Sequence, residues 1–321
     1  MSSRDTLRVR IAHRIQETED IVSLDLQDPE GAMLPPFTAG AHIDVHIAPN
    51  VVRQYSLCNA PTERHRYVIG VLRDPASRGG SIAIHEGFSK GSVVEISAPR
   101  NHFPLQDGTR SILVAGGIGV TPLLCMAEEL HAAGRNFVLH YCVRSKSKAA
   151  FRRRIGQSAF SRQVVLHCDD EDESQKLNLA MLFAHAGTDY AIYVCGPSGF
   201  IEWVCRTADE AGIPKQRVRY EYFGAKHADT SHDGEFDVKI ASTSQVFRIP
   251  SARSISSILQ EAGVDIYTSC EEGTCGTCVT GVLEGDPDHR DVFLTDEEHA
   301  SGKLLTPCCS RAKSSLIVLD L

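Results

Sequence analysis

Cys270-Glu271-Glu272-Gly273-Thr274-Cys275-Gly276-Thr277-Cys278 reads C-x4-C-x2-C, and Cys308 follows after 29 intervening residues. This spacing is the plant-type ligand pattern of a [2Fe–2S] cluster, in which four thiolates hold two sulfide-bridged irons. One tight loop must wrap the cluster to supply three of them. Gly273 and Gly276 stand where the backbone has to turn sharply and bring N–H groups near sulfur. A zinc site would show two C-x2-C pairs or a Cys/His mixture, and neither occurs. Neighbours on an extended segment face opposite sides, so of the pair Cys308-Cys309 we expect Cys308 to ligate and Cys309 to pack. The expected metal ligands are Cys270, Cys275, Cys278 and Cys308. A chain with such a cluster moves electrons singly, and an electron source is expected upstream of it.

The rest of the composition agrees with a soluble cytoplasmic enzyme. A length of 321 residues suggests two or three domains. No apolar run reaches the roughly 18 residues of a membrane span, and the charged N-terminus is no signal peptide. Five of the eleven cysteines crowd into residues 270–309, while Cys58, Cys125, Cys142, Cys168, Cys195 and Cys205 are scattered on apolar stretches. Buried thiols in a reducing compartment account for those six. Residues 229–321 carry 7 basic against 16 acidic side chains, so the net charge of −8 is concentrated on the cluster-bearing end. Such a face suits a basic docking partner. No basic patch supports nucleic-acid binding, since Arg152-Arg153-Arg154 is an isolated run.

Short strands separated by turn signals fill the first hundred residues, at 7–15, 21–26, 42–47, 53–57, 67–72 and 93–97. They predict a small antiparallel barrel. Near Asp107 the texture changes. An apolar strand at 111–115 leads into Gly116-Gly117-Ile118-Gly119-Val120-Thr121-Pro122 and a helix over 123–133, with Pro122 at its start and Gly134 as its C-terminal stop. Further strands at 137–143, 164–168, 191–195 and 218–223 alternate with helical stretches such as 199–211, which predicts a parallel sheet with helices on both faces. Residues 227–234 read as a linker. Beyond them come strands at 236–241 and 245–249, a helix at 254–262, the cluster loop and a last strand at 316–319. The boundaries that follow are 1–106, 107–228 and 229–321.

Four shorter motifs carry ligand chemistry. G-G-x-G-x-T-P at 116–122 departs from the dinucleotide fingerprint, yet its glycines let a diphosphate approach a helix N-terminus. Cys195-Gly196-Pro197 ends a later strand, at the edge where such sheets bind ligands. Arg53-Gln54-Tyr55-Ser56 lies on a barrel strand and offers a ring and a hydroxyl to a flavin, while Arg78-Gly79-Gly80-Ser81 opens a second anion-binding helix N-terminus.

R-x-Y-S, R-G-G-S, G-G-I-G-x-T-P, C-G-P and the cluster loop, in this order, resemble the family of phthalate dioxygenase reductases and vanillate demethylase reductases. The likeness spans the whole chain, including E-Y-F-G-A at 221–225 and the closing C-C-S-R-A-K-S-S-L-I-V-L-D-L. It implies an FMN-binding barrel, an NADH-binding α/β domain and a β-grasp ferredoxin domain. By the same resemblance Arg53, Tyr55 and Ser56 would hold the flavin ring and chain, and Arg73, Arg78, Gly79, Gly80 and Ser81 its phosphate. Thr121 would approach the flavin and Phe223 would cover its ring. Gly117, Gly119 and Arg144 would face NADH, Asp169 would lie near its adenosine, and Cys195, with Gly196 and Pro197, would border the nicotinamide. Ser56 and Cys195 would stand at the reacting atoms.

The function implied is the NADH-dependent reductase of a two-component Rieske-type aromatic oxygenase, passing a hydride to FMN and single electrons through [2Fe–2S] to a separate Rieske non-haem iron oxygenase. Basic residues at Lys146, Lys148 and Arg152–Arg154 would welcome a 2′-phosphate, but the acidic run Asp169–Glu173 opposes it and favours NADH over NADPH. Two alternatives are a flavoprotein reductase of ferric ion or free flavin, which would not need the cluster, and a non-catalytic redox sensor, which would not need the flavin and nicotinamide motifs.

Overall fold

The computed structural model describes residues 6–48, 51–75, 79–107, 110–185, 190–224 and 233–321. Arg78 and most of the expected linker fall outside them. The chain divides into two compact units, Met1–Glu221 and Tyr222–Leu321.

The first unit begins with β1 (Leu7–Gln16), β2 (Ile21–Gln27), β3 (Ala41–Ala48), β4 (Val51–Ser56), β5 (Tyr67–Leu72), α1 (Gly80–Gly87), β6 (Val93–Ile96) and β7 (Arg100–Asn101). The strands pair antiparallel in the order β4-β3-β6-β1-β2-β5, with β7 beside β3. The two ends of this sheet meet: Leu57 bridges to Ile69, and the Cys58 N–H donates to the Val68 carbonyl at 2.9 Å. A twisted sheet that closes on itself has no open edge to protect, and the expected barrel is what forms. Its interior holds Val9, Ile11, Leu24, Ile43, Ile69 and Ile96, all fully buried.

The same unit continues with β8 (Arg110–Gly116), α2 (Val120–Ala132), β9 (Phe137–Val143), α3 (Arg152–Gln157), β10 (Val164–Cys168), α4 (Leu179–His185), β11 (Tyr190–Cys195), α5 (Ser198–Glu210) and β12 (Val218–Glu221). All neighbours pair parallel, in the order β10-β9-β8-β11-β12. From β8 the chain winds outward through β9 and β10, then returns to the other side of β8. Right-handed crossovers running in opposite directions place helices on opposite faces and leave a crevice where the order reverses. The loops after β8 and β11 flank that crevice. One apolar core runs through barrel and sheet together. Polar ties reinforce it: the Ala39 N–H donates to Glu129 at 3.0 Å, the Phe151 N–H to Glu17 at 3.0 Å, and the Gln106 N–H to the Tyr193 hydroxyl at 2.7 Å.

Helix α2 starts earlier than the sequence suggested, so Pro122 is its third residue, still within the first turn where no intrahelical N–H is needed. Gly134 follows the Ala133 cap with φ 64°, the left-handed stop expected of it.

The second unit contains β13 (Phe236–Ile240), β14 (Val246–Ile249), α6 (Ile255–Glu261), β15 (Thr280–Glu284), β16 (Pro287–Asp288), α7 (Asp296–Ser301), β17 (Leu304–Leu305), β18 (Arg311–Ala312) and β19 (Leu316–Asp320). Its mixed sheet runs β14-β13-β19-β15-β17, with β19 parallel to β13 and antiparallel to β15. Helix α6, capped by the Ser254 hydroxyl accepting from the Ser257 N–H, grips this sheet through Ile255 and Leu259. That is the β-grasp arrangement of a ferredoxin domain. Among the described residues no helix is long and apolar enough to cross a membrane.

Candidate functional site

The cluster loop lies between α6 and β15, and its four expected ligands are buried, each 4–7% exposed. Cys278 Sγ lies 3.2 Å from Cys308 Sγ, and Cys270 is in contact with both Cys275 and Cys308. Four thiols drawn from two segments thus share one small volume. The backbone turns its N–H groups onto them. Those of Glu272 and Thr274 donate to Cys270 Sγ at 3.3 and 3.4 Å, and that of Thr277 donates to Cys275 Sγ at 3.4 Å. The neighbouring thiols and these donors pull Cys270 toward the thiolate and push its partners the other way. Buried thiols fed by backbone N–H groups fit a [2Fe–2S] cluster, whose sulfurs need that support.

The loop is wound tightly enough to hold Glu271 at φ 56°, a conformation that costs a residue with a Cβ roughly 1–2 kcal/mol. Gly273 and Gly276 have φ of 68° and 67°. A Cβ on Gly276 would lie 2.1 Å from the Phe293 ring, and one on Gly273 would lie 2.4 Å from Cys309 Sγ. Cys308 and Cys309 do not lie on an extended segment. They sit in a turn closed by the Cys309 and Ser310 N–H groups donating to the Thr306 carbonyl at 3.2 and 3.0 Å. The turn directs Cys308 to the other ligands, while Cys309, still in contact with Cys308, packs against Gly273 and the Thr306 hydroxyl.

In the first unit, β4 presents Arg53, Tyr55 and Ser56 beside α1. The Arg53 side chain crosses the start of that helix so closely that a Cβ on Gly80 would lie 2.8 Å from its Cγ. Gly79 precedes the helix at φ 88° and provides no side-chain cap. Unsatisfied helix N–H groups beside a guanidinium form a phosphate-binding arrangement. Arg73 reaches Glu86 at 3.1 Å, and the Ser81 hydroxyl accepts from the Asp74 N–H at 3.1 Å, so both are engaged locally. Burial raises the Tyr55 hydroxyl well above its ordinary pKa and keeps it neutral.

Gly117 takes φ 56° with open space where a Cβ would go. Gly119 is different: a Cβ there would lie 2.2 Å from the Cys195 carbonyl oxygen. Its bare backbone brings the loop after β8 against Cys195-Gly196-Pro197 across the crevice. Thr121 is buried at the first turn of α2, its hydroxyl donating to the Ile118 carbonyl at 3.1 Å. Arg144 and Asp169 end β9 and β10 on the exposed rim, their strands joined by the Asp169 N–H donating to Val143 at 3.0 Å. Phe223 belongs to the second unit and is 39% exposed.

One group escaped the sequence reading. Glu221 ends β12 in register with Cys195, and the Ser56 hydroxyl donates to its carboxyl at 3.2 Å. Burial raises this carboxyl to about 8 against the opposing effect of that hydrogen bond. Burial, with Glu221 nearby, also holds the Cys195 thiol well above its usual range. Ser56, Cys195 and Glu221 therefore converge from three strands. The only sequence signal was an acid at a strand end within E-Y-F-G-A.

Comparison with known proteins agrees with both sites. Residues 238–313 match the 2Fe-2S iron-sulfur cluster binding domain family, and residues 113–206 match the oxidoreductase NAD-binding domain family. The chain is 50% identical over 304 residues to vanillate O-demethylase oxidoreductase of Pseudomonas sp. (strain HR199 / DSM 7063), covering 94% of this chain and 96% of that one. It is 42% identical over 318 residues to phthalate dioxygenase reductase of Burkholderia cepacia, covering 98% and 97%. A solved phthalate dioxygenase reductase, described as a modular structure for electron transfer from pyridine nucleotides to [2Fe–2S], superposes with a TM-score of 0.79 at 41% identity over 98% of each chain. Fold and sites define an iron–sulfur oxidoreductase with a nicotinamide-binding domain. Within that class, the chain belongs to the family of vanillate O-demethylase oxidoreductases and phthalate dioxygenase reductases.

Proposed function

We propose that the chain is the NADH-dependent reductase component of a two-component Rieske-type aromatic oxygenase, divided into an FMN domain at 1–106, an NADH domain at 107–228 and a ferredoxin domain at 229–321. The observation that carries this reading is one chain holding both the four-sulfur cage and the Ser56–Cys195–Glu221 convergence beside a nicotinamide crevice. When bound, FMN and the cluster supply the conversion of a two-electron hydride donation into single-electron delivery.

The protein's part is binding and orientation. Arg53, Tyr55 and Ser56 would hold the flavin ring and chain, with Thr121 and Phe223 around the ring. Arg73, Arg78, Gly79, Gly80 and Ser81 would hold the FMN phosphate, which Arg53 would also reach from its place over the start of α1. Gly117, Gly119, Arg144, Asp169, Gly196 and Pro197 would hold NADH along the rim and crevice. Ser56 offers a hydroxyl whose direction Glu221 fixes. The Glu221 carboxyl keeps its proton up to about pH 8, and Cys195 remains a neutral thiol, so the trio adds no net charge where a hydride must pass. Cys195 and its buried neighbours exclude water from the same place.

Three of the five cations that would greet a 2′-phosphate are paired with carboxylates, while Arg152 and Arg153 are exposed. Lys146 pairs with Glu171, Lys148 with Glu19 and Asp20, and Arg154 with Glu128. This supports NADH over NADPH.

The deciding experiment is coupled turnover: the purified chain, NADH and a panel of Rieske oxygenases, starting with vanillate demethylase and phthalate dioxygenase components. Product should form at low salt and decline steeply as salt screens the acidic ferredoxin domain, while flavin reduction by NADH declines much less. Rapid NADH oxidation with ferric ion or free flavin, unaffected by loss of the cluster and without coupling to any oxygenase, would overturn the reading.

A further inference from the structure

Behind the cluster loop, three side chains outside the electron path converge on one point. His289 and Asp291 follow β16, and His299 projects from α7. Their nearest donor atoms all lie within 4.8 Å of one another. Asp291 Oδ1 is 3.3 Å from His299 Nε2 and 3.8 Å from His289 Nδ1, and Asp291 Oδ2 is also 3.3 Å from His299 Nε2. The imidazoles stack with centroids 4.3 Å apart. The His289 side chain is 11% exposed, and neither ring nitrogen makes a hydrogen bond of acceptable geometry. The nearest polar groups are Asp291 and the backbone of His299. Ring nitrogens with no well-formed hydrogen bond keep a lone pair available to an ion.

The distances discriminate. Charge-assisted N–H···O bonds close to about 2.7–2.9 Å, whereas His299 stands off at 3.3 Å from both carboxylate oxygens. Around a tetrahedral ion with bonds of about 2.0–2.2 Å, donor atoms are separated by roughly 3.3–3.6 Å. The two His299–Asp291 separations match the second geometry better than the first, while His289 Nδ1, 3.8 Å from Asp291 Oδ1, would have to close by a few tenths of an ångström on an ion. The carboxylate is also braced, as metal-binding carboxylates are. The Leu294 N–H donates to Asp291 Oδ2 at 2.8 Å and the Ser310 hydroxyl to Oδ1 at 3.4 Å. His299 is held in place by a capping box in which Thr295 and Glu298 satisfy each other's backbone N–H groups. Its ring remains 28% exposed, giving an ion and a fourth, water ligand a way in.

We propose that His289, Asp291 and His299 form a binding site for a divalent transition ion of the zinc class, separate from the cluster. Two imidazoles and one carboxylate select such an ion over magnesium or calcium, which favour oxygen-only shells. The site would tie α7 to the segment beneath the cluster loop. That segment already supports the loop, because the Val292 N–H donates to the Gly273 carbonyl at 3.1 Å.

The test is calorimetric titration of the full-length protein, loaded with flavin and cluster, with zinc chloride while the visible absorption of the cluster is followed. One equivalent should bind in the micromolar range with the cluster colour intact, and excess magnesium should not compete. Loss of one direct ligand should weaken binding by more than the roughly 10–100-fold that removal of a supporting group costs, so both His299→Gln and His289→Gln should show at least that loss. Retained cluster colour and circular dichroism certify that each variant is folded. Should one variant fail that check, the other decides. No binding below millimolar zinc would overturn the site. So would undiminished binding in a folded variant, or binding accompanied by bleaching of the cluster, which would place the zinc on the cysteines.

Discussion

The two redox regions of this molecule are built in opposite ways. The sulfur cage takes three of its ligands from nine consecutive residues, and the backbone that carries them also supplies the hydrogen bonds. The crevice of the first unit takes its chemistry from afar: Ser56 and Glu221 are 165 residues apart in sequence and meet only because barrel and sheet share a core. A site built mostly by one loop, with a single ligand from a second turn, is sensitive chiefly to changes within those two short segments. A site made by docked elements depends on burial and electrostatics that many residues set.

The largest effect should come from cutting the loop. Cys275→Ser and Cys278→Ser should abolish the visible absorption and the reduced-state EPR signal of the cluster, while stopped-flow reduction of the flavin by NADH survives. Loss of flavin reduction in the same variants would break the contrast, since it would make the two regions one folding unit.

Next comes Glu221. Its carboxyl titrates near 4.5 when unfolded and near 8 when folded, so the folded protein binds the extra proton between those values. Stability conferred by that proton is full below pH 4.5 and declines as pH rises toward 8. Glu221→Gln should remove the decline, gaining on the order of 2–4 kcal/mol over wild type at about pH 9 and little at about pH 5. Denaturant titrations at the two pH values measure it. Identical pH slopes for the two proteins would show that the buried carboxyl is not set by its docked surroundings.

A smaller effect is expected from Arg53→Ala. Removing one charge-assisted partner of a phosphate costs about 1.5–3 kcal/mol, or roughly a tenfold to hundredfold weaker flavin retention. The flavin released by boiling should be FMN by chromatography. Recovery of FAD alone, or unchanged retention, would remove the phosphate role assigned to the start of α1.

Smallest of all should be Cys309→Ser. This sulfur touches Gly273, Thr306 and Cys308 but none of the other three expected ligands, so cluster content should be unchanged and stability should move by no more than about 1 kcal/mol. A cluster that survives Cys308→Ser and is lost in Cys309→Ser would exchange the roles of the pair.

Legibility in the sequence follows the same division. C-x4-C-x2-C…C, the turn glycines and the strand–glycine–helix passage at 111–133 are local patterns, and each appears in the structure where its spacing put it. The six barrel strands were readable because alternation and turn residues are also local. The turn at Thr306–Ser310 was not, because nothing in Pro307-Cys308-Cys309 marks it apart from an extended segment until the Thr306 carbonyl accepts two N–H groups. Gly119 read as a phosphate-facing glycine, and only the folded chain shows the Cys195 backbone pressed against it.

By itself, then, the sequence determined which four cysteines to expect together, the order of barrel, parallel sheet and ferredoxin domain, and where each motif stands, because those depend largely on spacing along one strand, helix or loop. Tertiary structure alone decided that Glu221 would meet Ser56 and Cys195, that its carboxyl would hold a proton to about pH 8, and that His289, Asp291 and His299 would face one another. The physical reason is that pairing across strands and the removal of water are properties of packed neighbours. No spacing along the chain encodes them.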